Sequence, residues 1–329
     1  MTLRAAGKTD IGLVRKLNED SIKLVADRQL FIVCDGMGGH NAGEVASQTA
    51  CEIIGSLYQH AFEEILKDDR LKLPRVFPPS TDVLIKSVRI ANHWINKKSS
   101  ENPSLSGMGT TVVAAAIEKD IITILHVGDS RIYRLANRRL HPLTIDHSWA
   151  AELEHSEHIS AEEAKNLVNR NVITRALGVK QNVEIDVAVE KITENDIYIL
   201  CSDGLCGFVD DGDIRDVAVS CKEDVHQIVD QLVQLANDRG GSDNVSVIAF
   251  KVDGKFEPSD YSELDTVTVN GEGNQYFEFE EEWAAKAEVA SSQKKKDREV
   301  SEGKKGLPIL GAAFIIVILA AIFYFILKG

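Results

Sequence analysis

Apolar positions recur along the first 250 or so residues with two different periods. Short runs rich in Val, Ile and Leu predict strands at 21–25, 30–34, 111–117, 121–127 and 131–135, then at 183–189, 197–201 and 245–252. Between these runs the spacing lengthens. Val45, Thr49, Ile53 and Leu57 fall on one face of a helix that starts near Asn41. Leu84, Val88, Ala91 and Ile95 mark a second helix, with an N-cap at Ser80 or Thr81. Residues 146–175, which are polar, and 213–238 also read as helical. Helices bunch between runs of strands without βαβ alternation, so the pattern predicts an α+β fold rather than a doubly wound parallel sheet.

The pattern breaks after about residue 253. Residues 257–282 hold nine acidic side chains and no basic one, which predicts a linker unable to bury enough apolar surface to offset ordering. The sign then reverses at Lys294, Lys295, Lys296, Arg298, Lys304 and Lys305. Residues 307–327 follow without a single charge, and 21 residues at about 1.5 Å each span about 31 Å of helix, the thickness of a bilayer core. This run predicts a single-pass C-terminal transmembrane helix, with Tyr324 near its distal interface. The lysine-rich flank should stay cytoplasmic, which puts the body of the chain on the cytoplasmic face of the cell's inner (plasma) membrane. The expected organisation is a catalytic domain over 1–253, an acidic then basic linker over 254–306, and the anchor over 307–327. The N-terminus has no long apolar segment of the secretory kind.

Composition narrows the chemistry. The net charge of −14 argues against a nucleic-acid partner, whose phosphates need a basic face. It also means that a phosphorylated ligand would need a local source of positive charge. Five cysteines, an odd number without a C-x-x-C pair, exclude a disulfide framework or zinc knuckle and fit a reduced compartment. None has an arginine six positions later, so the phosphate loop of cysteine-dependent phosphatases is absent.

Acidic residues repeat at predicted strand ends. Apolar runs end in Asp35-Gly36, in Asp129-Ser130 and in Ser202-Asp203-Gly204, while Asn18-Glu19-Asp20 and Asp243-Asn244 each precede a strand. One such aspartate is ordinarily a turn former. Several brought to one edge would repel each other and demand a counter-charge. With only oxygen ligands on offer, that counter-charge is Mg²⁺ or Mn²⁺ rather than zinc or copper. A rival reading takes the glycines after Asp35 as a dinucleotide loop. The third glycine of that motif would fall at Asn41, and Asp35 would repel a pyrophosphate.

Seven blocks in order carry a family resemblance: Arg15-x-x-Asn18-Glu19-Asp20, Asp35-Gly-Met-Gly-Gly-His40, Ser106-Gly-Met-Gly-Thr-Thr111, Gly128-Asp129-Ser130-Arg131, Leu143-Thr-x-Asp146-His147-Ser148, Ser202-Asp203-Gly204 and Asp243-Asn244. Over about residues 3–252 the chain resembles the metal-dependent protein Ser/Thr phosphatases of type 2C, in their bacterial form. The resemblance implies a four-layer β-sandwich flanked by helices on both faces. It implies two Mn²⁺ or Mg²⁺ ions bridged by Asp35, with the Gly36 carbonyl on one of them. Glu19, Asp203 and Asp243 would hold the other ion, and Asp20 would order a water. Asp129 with Asp203 matches the position of a third, weaker metal, and Arg15 matches the arginine that grips substrate phosphate. Some members place a histidine directly after Asp-Gly as the acid; here that position is Met37, and His40 is the candidate. The segment from Asp146 to Arg175 matches a flap beside the active site.

The implied reaction is hydrolysis of phosphoserine and phosphothreonine on proteins by a hydroxide bridging the two ions. A Ser/Thr protein kinase would be the counterpart, and lipid would meet the C-terminal anchor. Two other functions stay open on the residues alone: a non-catalytic scaffold that binds phosphoproteins, and a small-molecule phosphomonoesterase.

Overall fold

Period-two alternation decides both faces of each central strand. In β3 (Leu30–Met37), Leu30, Ile32 and Cys34 point one way and Phe31 and Val33 the other. The first set packs under two helices, α1 (Ala42–His60) and α3 (Pro79–Glu101), which follow the short β3 exit and flank α2 (Phe62–Lys67). The second set meets Tyr198, Leu200, Ile248 and Phe250 of an opposing sheet. Phe31 stacks on Phe250 at 4.2 Å and Phe250 lies 5.0 Å from Tyr198, so an aromatic column fills the space between the sheets. A strand buried on both faces has no polar side, which is why these segments read as unbroken apolar runs.

The computed structural model describes residues 2–38, 42–68, 73, 76–156, 172–254, 256–270, 283 and 287. One sheet has the order β1 (Thr2–Asp10), β11 (Val245–Asp253), β10 (Ile197–Cys201), β7 (Arg131–Ala136), β8 (Arg139–Pro142). The other runs β12 (Leu264–Val269), β9 (Ile185–Lys191), β6 (Ile121–Val127), β5 (Val112–Glu118), β3, β2 (Asp20–Val25), with the short β4 (Gly109–Thr110) pairing to the end of β3. All pairings are antiparallel. The outer face of the first sheet is covered by α6 (Asp211–Ser220) and α7 (Val225–Asp238), through Ile214, Ile228, Leu232 and Ala236. Helices thus lie on both sides of a two-sheet sandwich, four layers in all, as expected.

Local signals explain most helix ends. Asp210 and Asp224 accept backbone N–H bonds at the starts of α6 and α7, and Ser148 does so for α4 (Trp149–His155). The α3 stripe of Leu84, Val88, Ala91 and Ile95 is buried as the spacing predicts, although the helix begins at Pro79, with proline in the first turn. On α1 the buried face is Ala46, Ala50, Ile53 and Leu57; Val45 and Thr49 are only partly covered, because small alanines let the helix sit close on the sheet.

Three expectations need correction or qualification. The acidic stretch after 253 is not all linker: Leu264–Val269 adds an edge strand to β9, and Trp283 and Ala287 are buried in the same apolar cluster as α1 and α3, Trp283 donating to Asp68 and Ser56 to the Ala287 carbonyl. Leu264, Val267 and Val269 supply the inward apolar groups while Asp265 and Thr266 stay in solvent, and a register shift between Leu264 and Val267 obscures the alternation. Of the flap, 149–155 is helical among the described residues, 146–148 and 172–175 are not helix, and 157–171 lies outside those described. The expected membrane segment, 307–327, also lies outside them; among the described residues no helix is long and apolar enough to cross a membrane.

Candidate metal centre

The acidic strand ends meet at one edge of the sandwich. Asp20 opens β2 directly across from Asp35 on β3. The Asp35 backbone is fixed by two threonines: its N–H donates to Thr111 Oγ1 at 3.0 Å, and its carbonyl accepts from Thr111 N at 2.8 Å and Thr110 Oγ1 at 2.9 Å. Beyond it the chain passes so close to its neighbours that a Cβ on Gly36 would lie 2.1 Å from the Gly43 carbonyl oxygen. Only glycine fits there. Gly36 N donates to the Glu19 carbonyl at 3.0 Å, and the first turn of α1 reaches the Glu19 carboxylate through Gly43 N–H.

From the opposite sheet, Asp203 begins the one-turn α5 (Asp203–Cys206) straight after β10, and Asp243 precedes β11, the neighbour of β10. Asp129 follows β6 at a turn that Gly128 makes with φ +111°. The hydroxyl of Ser202 donates to Asp20 at 2.7 Å, joining the two sheets across the site. Asn244 does the rest of the positioning. Its side-chain amide donates to the Ile11 and Leu17 carbonyls, each at 2.9 Å, and its Oδ1 accepts from Glu19 N at 2.8 Å. One side chain therefore closes the loop between β1 and β2 and sets Glu19 beside Asp243.

The electrostatics show what this assembly lacks. Burial, and then the charges of Asp20, Asp203 and Asp129, push the Asp35 carboxyl well above its ordinary range. The Asp203 carboxylate lies near that of Asp35 and helps to raise it. Burial and the neighbouring Asp203 and Asp146 raise Asp129 to about 7. Asp20 also rises to about 7 through burial, against the hydroxyls of Ser202 and Ser246. Asp203 is raised by burial and Asp243, and Glu19 by burial, in part offset by Arg15. Such a cluster is short of positive charge, and its donors are all oxygens; the residues fit hard divalent cations.

Arg15 stands at the rim. Its guanidinium donates to Asp243 Oδ2 at 2.8 Å, is held charged mainly by that bond, and also feels Glu19 and Asp35. About half of its side chain is exposed, so the fork can turn to an incoming anion. On the far side, Asp146 is paired bidentately with Arg131 at 2.8 and 2.7 Å, close to Asp129.

Thus Arg15, Glu19, Asp20, Asp35, Gly36, Asp129, Asp203 and Asp243 are brought together. His40 lies outside the described residues. Asn244, Ser202, Thr111 and Asp146 all stand in the seven blocks, where the letters assign them no role; their contacts show that they do positioning work. A second ligand-like group, His126, His147 and Asp186, lies beside the Gly128 turn. Its atoms are already committed: His126 Nε2–H donates to the Ile145 carbonyl at 2.8 Å, His147 Nδ1 accepts from Gly128 N at 3.1 Å, and His147 Nε2–H donates to Asp186 at 3.0 Å. Burial and the stacked His147 ring lower His126 to about 4, so it is neutral. His147 is structural.

A self-repelling oxygen cluster with an arginine at its rim, on a four-layer α+β sandwich, defines a metal-dependent hydrolase of phosphate esters. Comparison sharpens the class. The Protein phosphatase 2C family profile matches residues 14–246, and the chain belongs to that family. It is 35% identical over 249 residues to the serine/threonine phosphatase stp of Listeria welshimeri, covering 75% of this chain and 94% of the relative. The crystal structure of the Mycobacterium tuberculosis serine/threonine phosphatase PstP/Ppp superposes with a TM-score of 0.67 at 34% identity, over 77% of this chain and all of that one. A structure of the PstP catalytic domain in complex with two manganese ions gives a TM-score of 0.63 at 34% identity, over 77% of this chain and 99% of that one. The chain is a metal-dependent serine/threonine phosphoprotein phosphatase.

Proposed function

We propose that this chain is a membrane-anchored protein phosphatase that removes phosphate from serine and threonine on cytoplasmic proteins, opposite a Ser/Thr kinase. The observation that carries the catalytic reading is the unmatched charge of Asp20, Asp35, Asp129 and Asp203 next to Arg15. Asp35 would bridge two Mn²⁺ or Mg²⁺ ions, with the Gly36 carbonyl on one and Glu19, Asp203 and Asp243 on the other. Asp129 and Asp203 would offer a weaker third position. The ions, when bound, neutralise phosphate charge and make water a nucleophile near neutral pH. Arg15 binds the phosphoryl oxygens and orients the ester for in-line attack. Asp20, hydrogen-bonded by Ser202, holds and orients a water molecule, and His40 is the candidate donor to the departing oxygen. Anchoring rests on the uncharged run 307–327 and its basic flank, and would raise the local concentration of the enzyme near membrane-bound targets.

The test is turnover of a phosphothreonine peptide by the full chain with Mn²⁺, with chelator, and with Asp35→Asn. Activity that survived both treatments would overturn the metal mechanism. Turnover of free phosphoserine equal to that of the peptide would favour a small-molecule esterase, and peptide binding without hydrolysis a scaffold. A reporter fused after Gly329 should lie outside the cytoplasm; a cytoplasmic reporter would overturn the anchor.

A further inference from the structure

Large exposed apolar side chains gather on one loop of this protein. Among the described residues nine are exposed, and Ile11, Leu13, Val14 and Leu17 are four of them, all on the loop that carries Arg15. Ile145 and Trp149 are two more, on the segment that carries Asp146, whose charge acts on Asp129. By contrast Val172 and Val179 lie on a different segment, and Val76 precedes the start of α3, which bonds Glu118 at the far end of β5.

The 11–17 loop is also built to stay in place while exposed. Asn244 grips its two ends at Ile11 and Leu17, and Leu13 N donates to the Gly241 carbonyl at 2.7 Å. Gly12, at φ +78°, has no room for a Cβ, which would meet the Asp243 carbonyl at 2.2 Å. Even so, Leu13 and Val14 remain 69% and 66% exposed. A rigid loop that keeps apolar groups in water around a functional arginine marks a binding surface.

We propose that Leu13, Val14 and Leu17 dock apolar side chains of the substrate protein next to its phosphorylated residue, giving this phosphatase a preference for phosphosites in apolar surroundings. The inference rests on the phosphatase reading of the acid cluster. Continuity decides the occupant: Arg15 lies between Val14 and Leu17 in the chain and bonds Asp243, so whatever covers these side chains also covers the phosphate position. A bilayer in that place would close the acid cluster to phosphoproteins.

The experiment compares two phosphothreonine peptides that differ only in leucine or serine on either side of the phosphoresidue, with p-nitrophenyl phosphate as a small ester. The full chain is assayed with Mn²⁺, as wild type and as Leu13→Ser/Leu17→Ser. Wild type should prefer the leucine peptide by about tenfold in kcat/KM, mostly through KM, since one buried leucine is worth at least that factor. The double substitution should bring the ratio of leucine to serine peptide close to one. Equal turnover of both peptides by the wild type, or a preference that survives the double substitution, would overturn the proposal. Loss of turnover of the small ester in the wild type would instead strike at the phosphatase reading itself. Equal peptide turnover combined with quenching of a fluorophore at Val14→Cys by brominated lipid would give the surface to the membrane.

Discussion

Two groups of ligand-type side chains meet beside the Gly128 turn, and they differ in how their charge is balanced. In one, burial and neighbouring carboxylates raise Asp20, Asp35, Asp129 and Asp203, and the charges of Arg15, beside Asp203, and Arg131, beside Asp129, offset this only in part. In the other, His126, His147 and Asp186 are each satisfied by protein partners. Asp186 accepts from His147, Arg175 and Thr268, its pKa is driven well down despite burial, and both imidazoles are used in hydrogen bonds. Both groups hold residues that bind metals elsewhere. Only the first needs one. Ligand identity is a weak signal for a cation site, and uncompensated buried charge is a strong one.

The largest effect should come from breaking the first group. Asp35→Asn should lower phosphopeptide turnover by on the order of 10²–10³ at saturating Mn²⁺, the scale of losing a preorganised electrostatic element. Isothermal titration should show the loss of the tighter Mn²⁺ sites in the same variant. Asn244→Ala comes next. It unpins Ile11, Leu17 and Glu19 together, and about 10–100-fold in activity or metal affinity is the usual cost of removing such a supporting group.

The contrast can be sharpened by stability against pH after chelation. Asp20 and Asp129 have folded values of about 7, raised from 3.8. The metal-free fold therefore holds protons that the unfolded chain has already lost between about pH 4 and 7. Its stability is full below that window and falls as pH rises through 7. Melting temperature of the chelated protein should drop from pH 5 to 8, and Mn²⁺ should abolish the drop. His126 acts with the opposite sign. Its folded value of about 4 lies below 6.5, so its contribution is lost as pH falls through that interval. His126→Gln should flatten the acid side of the curve and leave the alkaline drop intact. The smallest activity effect should belong to His147→Ala: a loss of about 1–3 kcal/mol from unpaired buried groups in denaturant melts, with Mn²⁺ dependence retained.

Much of this was legible along the chain because a central strand of a covered sandwich has no choice of face. The runs at 121–127 and 197–201 coincide with β6 and β10, and the acids at the ends of β3, β6 and β10 are where the apolar runs stop. Edge strands were hidden. Thr2–Asp10 carries few large apolar groups, since one neighbour, β11, satisfies its backbone and little of it is buried. Leu264–Val269 was masked by the acids around it and by its register shift. A strand recruited by backbone pairing at an edge leaves a weak side-chain pattern.

What the sequence determined by itself is the set of actors: period-two apolar runs for a covered sandwich, oxygen ligands at the ends of those runs, and an uncharged C-terminal segment. Only the tertiary structure decided how they act together. Register set Asp20 opposite Asp35, Ser202 bridged the two sheets, and Asn244 drew residues 11–19 onto β11. These are contacts between residues up to 233 positions apart, and their energies depend on burial and distance, which a linear pattern does not contain. The same folding turned aspartates that each look like an ordinary turn former into one site whose charge must be met from outside the chain.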